Sequence, residues 1–377
     1  LEKKAEVIII GAGPAGSTAA TVLARRNFDI LLIDKCQFPR DKVCGGVLTA
    51  KSMKLLEKIH PGVVFSLNLK PITKVSFGYP GTERKNESIT YIYKKPLFYV
   101  ATRKELDNAL MENALRNGAK YENDAIIRIE RLDDGFICHG RSGNTYSAPY
   151  VVIAAGVFGH NLLENTSKIS YSIAYKAQTA SVPITTATIN FHDFGYTWIL
   201  PGKGFFNVGI GSYDNSLTYA DAENIVKKLF NFPIGKLNAA PLPMFDKTIS
   251  VDLNNMVPGC LFVGDSGGFV DPWTGEGISF AMETGFCSAK AIIEKGGDRL
   301  KVNDDFLGRI RRIGIHLQIA GILREKLTTT LPERFDLLSD IRMAKLLYVY
   351  LNGYLKGIDR LMIKGFFFQG VKGIETR

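Results

Sequence analysis

Cysteine is scarce: five residues in a chain of 377, Cys36, Cys44, Cys138, Cys260 and Cys287, odd in number, irregularly spaced and without a C-x-x-C pair. That pattern argues against a disulfide framework and a zinc cluster, and a reducing cytosol is expected. Uncharged apolar runs fall short of the roughly 18 residues needed to cross a bilayer, so no transmembrane helix is expected. Residues 1–10 (LEKKAEVIII) pass straight into an apolar strand, so no cleavable signal segment is expected. There is no internal repeat, no low-complexity linker, no zinc finger, no RNP-like aromatic strand and no long basic block. Nucleic acid is therefore not an expected partner. Histidines 60, 139, 160, 192 and 316 show neither triad nor metal spacing, so no metal is expected.

What remains is a globular composition, 46% hydrophobic and 22% charged, long enough for two or three domains. The balance of 47 basic to 37 acidic residues gives +10, and residues 301–377 alone carry 14 Lys/Arg against 8 Asp/Glu. Such a tail reads first as a solvated helical surface. Docking of its basic face at an anionic lipid surface is the sharper alternative, each Lys or Arg near such a surface contributing about 1 kcal/mol.

Ala5–Gly11 (AEVIIIG) is a buried parallel strand ending in a glycine turn; Pro14–Arg26 has helical spacing, and Phe28–Asp34 is a second apolar strand. Together they form a βαβ unit. Lys51–Ile59 is a helix candidate. Lys74–Tyr99 alternates around turn residues, which suggests antiparallel strands. Thr102–Asn117 is helical with Gly118 as its stop. Ala125–Arg131, Phe136–His139, Tyr150–Ala155 and Cys260–Val263 are further strands, residues 166–250 hold short β-rich runs of a separate sheet, and Gly277–Glu294 is helical. From about Leu300 the chain is mostly helical and amphipathic.

Gly11-Ala12-Gly13-Pro14-Ala15-Gly16 fits G-x-G-x-x-G between a strand and a helix, and Asp34 follows 18 residues after Gly16. The glycines allow a tight turn and close approach to a pyrophosphate, the helix start offers free N–H groups, and Asp34 can accept from ribose hydroxyls. This loop serves NAD or FAD equally. A second region separates them: Gly264-Asp265 follows the apolar strand CLFV and leads through Asp271-Pro272-Trp273-Thr274-Gly275-Glu276-Gly277-Ile278 into a helix. A GD step and a glycine-rich helix entry far from the first motif form the two-part signature of large FAD proteins. The positive end of that helix would favour the anionic reduced flavin.

With these residues in place the chain resembles the geranylgeranyl reductase family, within the flavoproteins folded like p-hydroxybenzoate hydroxylase. Phe38-Pro39-Arg40-Asp41-Lys42-Val43-Cys44-Gly45-Gly46 is similar to that family's FPR-x-K-x-CGG stretch, and Arg103 with Leu106 and Asp107 matches R-x-x-(F/L)-D. Ala154-Ala155-Gly156 and GDSGGFVDPWTGEGI match further along. Tyr196-Thr197-Trp198-Ile199-Leu200-Pro201 followed by Gly209-Ile210-Gly211 resembles Y-x-W-x-F-P…G-x-G, with Leu200 in place of the usual Phe.

The resemblance implies that Ala15, Asp34, Cys44, Gly45, Val47, Arg103, Asp265, Gly277 and Ile278 contact FAD. It adds Gly11, Gly13, Pro14, Gly16, Lys35, Arg40, Gly46, Gly156 and Gly275 to the cofactor site, with the backbone near Ile127 at the adenine. Arg103 at a helix start suits a pyrophosphate, its planar fork matching phosphate oxygens. Cys44 is placed beside the isoalloxazine, where it would donate a proton or shape the site; a buried inert cysteine is the other reading. Tyr196, Trp198, Pro201, Gly209, Gly211 and Trp273 would line the substrate.

The implied fold is α/β: a discontinuous Rossmann-like FAD-binding domain (1–75, 98–165 and 248–296), an inserted antiparallel-sheet substrate domain (76–97 and 166–247), and a helical C-terminal region (297–377). The implied activity is saturation of C=C bonds of a geranylgeranyl or other polyprenyl lipid by hydride transfer from reduced flavin. The electron donor would be NAD(P)H or a ferredoxin-like protein. The implied location is the cytoplasm, with peripheral contact at a membrane surface. Three rivals stand beside it: a monooxygenase or halogenase of the same fold, a quinone reductase, and a non-catalytic flavin carrier subunit.

Overall fold

The computed structural model describes residues 2–78, 88–163, 171–180, 184–213, 217–230, 234–243, 256–330, 347, 349–351 and 353. Continuous apolar runs form the innermost layer. Val7–Ile10 lies at the centre of a five-stranded parallel sheet, ordered Cys260–Phe262, Tyr150–Ile153, Val7–Ile10, Ile30–Asp34 and Lys120–Asn123. Val7, Ile8, Ile9 and Ile10 are all buried because both faces of a parallel sheet are covered. On one face lie the helices Pro14–Ala24 and Ile278–Lys295. On the other, the strands Glu2–Lys4, Thr145–Ala148, Phe136–Gly140 and Ile126–Arg131 form a second sheet, whose Tyr146, Phe136 and Cys138 share a core with Ile8 and Ile10.

A seven-stranded sheet stands apart, in the order Asn238–Pro243, Tyr171–Ala180, Phe205–Ser212, Gly195–Pro201, Ala187–His192, Lys74–Gly78 and Ser88–Ile92. Its pairs are antiparallel except Ala187–His192 with Lys74–Gly78. Segments distant in sequence thus meet in one sheet, inserted between the parts of the parallel one. The stretch Lys74–Tyr99 divides: Phe98–Val100 leaves that sheet to pair with Val47–Thr49 and Lys70–Ile72.

The expectation that residues 166–250 are a sheet misses one helix, Tyr219–Leu229. Its start carries a reciprocal capping box, Thr218 with Asp221, and its buried Ala222 and Val226 pack on Tyr175 and Val208. The short helix Val63–Ser66 is also absent from the sequence reading.

The long helix Arg299–Thr330 joins the two bodies. Val302, Phe306, Ile310, Ile313 and Leu317 enter the core around the first helix, while Ala320 and Leu323 enter the core of the seven-stranded sheet. At 1.5 Å per residue, 32 residues span about 48 Å, enough to reach across both.

Candidate functional site

The glycine loop after Val7–Ile10 is shaped by contacts only hydrogen would tolerate. Gly11 has φ +104°, and a Cβ there would sit 2.2 Å from Ala154 O; one on Gly16 would sit 1.8 Å from Gly11 O. Gly13, the N-cap of Pro14–Ala24, makes no side-chain cap, so the helix's first N–H groups stay available. A Cβ on Gly13 would meet only Arg40 Nη2, at 3.7 Å. The loop therefore opens toward a guanidinium, a cradle that fits a pyrophosphate.

Asp34 ends the neighbouring strand. Its Oδ2 accepts from Ala12 N at 2.7 Å and its Oδ1 from Cys36 N at 2.9 Å. Each carboxylate oxygen keeps a lone pair for a ribose hydroxyl. Lys35 lies exposed just beyond it. Ile127 is 53% exposed, and the strand register skips it between the Ile126–Gly140 and Arg128–His139 pairs. Neither side chain forms a hydrogen bond or ion pair with another described residue.

Two arginines converge on one buried carboxylate. Arg103, at the start of Arg103–Arg116, donates Nε to Asp107 Oδ1 at 2.7 Å and Nη2 to Oδ2 at 2.6 Å. Arg40 Nη1 stands 3.1 Å from the same Oδ2. Burial pulls the Arg103 pKa down, but the Asp107 pair outweighs it and leaves it above the ordinary value. Asp107 spends part of each fork: Arg103 Nη1 and Arg40 Nη2 stay outside these contacts, and Arg40 Nη2 is the atom that faces Gly13, where phosphate oxygens would be held. Arg103 is thus a buried residue held by a carboxylate and still equipped for the expected cofactor.

The GD turn closes the groove from the other side. A Cβ on Gly264 (φ +56°) would fall 3.2 Å from the Ala15 side chain, so the turn sits directly on the first helix. Asp265 Oδ2 pairs with Lys42 Nζ at 2.9 Å. Burial raises the Asp265 carboxyl, but Lys42 and Arg103 more than reverse this and hold it below the ordinary range. Gly277, the N-cap of Ile278–Lys295, approaches both Asp265 and Val270, and Ile278 is the first helical residue. Gly156 (φ +77°) has open space where a Cβ would be, and its carbonyl accepts from Ser266 Oγ at 2.9 Å.

Cys44-Gly45-Gly46 crosses between this groove and the seven-stranded sheet. Gly46 (φ +71°) would clash through a Cβ with Ala101 O at 2.1 Å, and its N–H donates to Cys44 Sγ at 3.4 Å. Val47 begins the next strand. From the sheet, Leu200 comes within 3.1 Å of a Cβ position on Gly45, and Asn207 Nδ2 donates to Cys44 O at 2.8 Å. Asn207 Oδ1 accepts from Trp198 Nε1 at 2.9 Å.

The Y-x-W…G-x-G pattern has a packing cause. Tyr196 pairs with Gly211 and Trp198 with Gly209 across neighbouring strands. A Cβ on Gly209 would lie 2.2 Å from the Trp198 ring, and one on Gly211 2.8 Å from the Tyr196 ring. Absence of those side chains lets both aromatics lie flat on the sheet. Tyr196 donates to Thr274 O at 3.3 Å and covers Gly275 (φ +69°), while Pro201 ends the strand. Burial pushes the Tyr196 phenol well above its ordinary pKa, so it is a neutral donor.

Trp273 lies buried against Tyr350, edge to face at 4.7 Å. Asp271 organises that corner. Its Oδ1 accepts from Trp273 N and Thr274 N, and its Oδ2 from Tyr350 OH at 2.5 Å, with His316 Nε2 at 3.4 Å. Burial raises the carboxyl, and His316 and Tyr350 outweigh it, so Asp271 stays below the ordinary range.

Contacts thus join the glycine loop, Arg40, Arg103, the GD turn, the CGG loop and the Tyr196 and Trp198 rings into one neighbourhood, to which Lys35 and Ile127 add no such contact. Sequence reasoning missed Asn207, Lys42 and the Asp271–His316–Tyr350 corner as site residues. Asn207 had a signal, a lone amide inside the apolar strand FFNVGIGS. His316 and Tyr350 had none, since only the fold brings them to Asp271.

Comparison with known proteins gives four findings. Residues 4–295 match the FAD binding domain family. A digeranylgeranylglycerophospholipid reductase of Methanosarcina acetivorans is 30% identical over 318 residues, 77% of this chain and 75% of that protein. A menaquinone reductase of Mycolicibacterium smegmatis is 27% identical over 341 residues, 78% of each. Among solved structures, a geranylgeranyl bacteriochlorophyll reductase-like protein of Thermoplasma acidophilum superposes with a TM-score of 0.75 at 19% identity, over 98% of both chains, which establishes the fold.

Proposed function

Because the chain belongs to the geranylgeranyl reductase family of FAD-dependent oxidoreductases, we propose that it saturates C=C bonds of a polyprenyl lipid. FAD supplies the hydride when bound and reduced. The residues described above fit it: a glycine cradle facing Arg40, an acceptor at Asp34, and a helix start at Ile278 beside the CGG loop.

An isolated trisubstituted alkene offers no carbonyl to polarise, so the protein must work by positioning and by delivering a proton. Tyr196 and Trp198 provide a flat apolar wall beside Cys44, and Leu200, Phe191 and Phe77 continue the same apolar core. Cys44 is the proton holder in this reading, its thiol turned back toward Gly46 N–H. Tyr196, held as a neutral phenol, orders the wall rather than ionising. The observation that carries the proposal is this aromatic wall, built by Gly209 and Gly211 and fastened to the cysteine loop by Asn207.

Quinone reduction is the second reading, favoured by the menaquinone reductase relative. The two are separated by product. Incubation under anaerobic reductant with a geranylgeranylated phospholipid and, separately, with menaquinone should give lipid heavier by two hydrogens per bond, with Cys44→Ser slowed and Trp198→Ala losing lipid affinity. Quinol formation with unchanged lipid mass would install the second reading.

A further inference from the structure

The Cys44–Gly45 peptide is held in one orientation by a two-step contact whose polarity is fixed at its far end. Indole N–H is donor only, so Trp198 Nε1 obliges Asn207 to turn its oxygen toward the indole, at 2.9 Å. The amide NH2 then faces the other way and donates to Cys44 O at 2.8 Å. Asn207 is 2% exposed and Trp198 7%, so water does not compete for either bond. In a trans peptide the carbonyl and the following N–H point in opposite directions. Anchoring Cys44 O to the sheet thus aims Gly45 N–H away from it, and that N–H takes no partner among the described residues. Glycine at 45 and Gly46 at φ +71° would otherwise let this peptide turn over freely.

We propose that Asn207 is a positioning residue that locks the Cys44–Gly45 peptide, presenting Gly45 N–H as a hydrogen-bond donor to the flavin. The proposal rests on FAD filling the groove beside the CGG loop. A donor fixed there strengthens FAD binding and favours the reduced, more electron-rich flavin, so the lock sets the reduction potential as well as holding the cysteine backbone.

The test compares the holoenzyme with Asn207→Leu, Asn207→Asp and Trp198→Phe by FAD dissociation and by the flavin reduction potential. Asn207→Leu should weaken FAD binding about ten-fold, the scale of one lost hydrogen bond, and lower the potential. Asn207→Asp should behave alike at neutral pH, because a carboxylate repels Cys44 O. It should recover as pH falls, because the protonated acid again donates to Cys44 O and accepts from Trp198. The titratable groups around this position are the Cys44 thiol on the loop, the Tyr196 phenol on one neighbouring strand, and Lys176 on the other, which stands 3.5 Å from Asp41. Trp198→Phe should fall between wild type and Asn207→Leu, the amide being free to turn. A merely structural role would give no acid recovery. With FAD bound normally by wild type, equal affinity and potential in all three variants, or a pH-independent defect in Asn207→Asp, overturns the lock alone. A wild-type protein that holds no FAD overturns the groove and the lock together.

Discussion

Single residues divide into those whose role follows from a motif and those whose role exists only through a partner. Asp34, Arg103 and Gly13 belong to the first kind: the βαβ unit sets the spacing of Gly13 and Asp34, and Arg103 opens the R-x-x-L-D match. Asp107 stood in a matching motif, but its task of holding two guanidinium groups at once comes from the return of Arg40 to the helix Arg103–Arg116. His60 is of the second kind. It bridges Thr18 Oγ1 at 3.0 Å and Asn113 Nδ2 at 2.9 Å, fully buried between three helices. Burial, helped by Arg25, lowers its pKa from 6.5 to about 3. Native His60 is neutral, whereas the unfolded chain takes up a proton there below its ordinary value of 6.5. The stability from this group is therefore complete above that value and drains away as pH falls toward 3. Urea unfolding between about pH 7 and about pH 4 should show a steeper loss for wild type than for His60→Gln. Equal slopes would contradict the assignment.

Elements were legible where one physical cause dominates. Continuous apolar runs gave four of the five parallel strands, Lys120–Asn123 escaping because KYEN carries no such run, and helical spacing, with Gly118 as a stop for the second, gave Pro14–Ala24 and Arg103–Arg116. The helix Tyr219–Leu229 escaped because its pattern is short and lies among β-branched runs, although Thr218 and Asp221 mark its start. Strand partnership was out of reach, since Phe98–Val100 and Ser88–Ile92 look alike locally and join different sheets. The contact between Pro14–Ala24 and Ile278–Lys295 gives the sharpest test at this scale. A Cβ on Gly285 would sit 2.2 Å from Ala15 O. Gly285→Ala should push the two helices apart, costing roughly 2 kcal/mol as overpacking and weakening FAD binding through the displaced phosphate loop. Calorimetry with FAD titration would check both; an unchanged melting temperature would show that the helices have room.

Across the whole molecule, the site exists because separate bodies are tied at defined points. Asn207 fastens the seven-stranded sheet to the CGG loop, and Lys176 reaches Asp41 on the same segment. Tyr350 and His316 fasten the C-terminal region to Asp271, whose carboxylate shapes the loop leading to Gly275 and Gly277. Tyr350→Phe would remove one donor from that buried carboxylate, an expected loss of roughly 2 kcal/mol together with weaker FAD retention. A change confined to stability, with FAD retention intact, would separate the corner from the cofactor loop. The helix Arg299–Thr330 fits this picture by sharing both cores. Among the described residues no helix is long and apolar enough to cross a membrane.

The central claim is that a polyprenyl alkene takes electrons from this flavin directly. The most direct measurement is a single turnover without oxygen: the protein is reduced with dithionite, the excess is removed, and a geranylgeranylated phospholipid is added while flavin absorbance and lipid mass are followed together. The account predicts that the oxidised flavin band returns as the lipid gains two hydrogens for each flavin reoxidised. A flavin that stays reduced beside unchanged lipid, and reoxidises only when menaquinone or air is admitted, would contradict it.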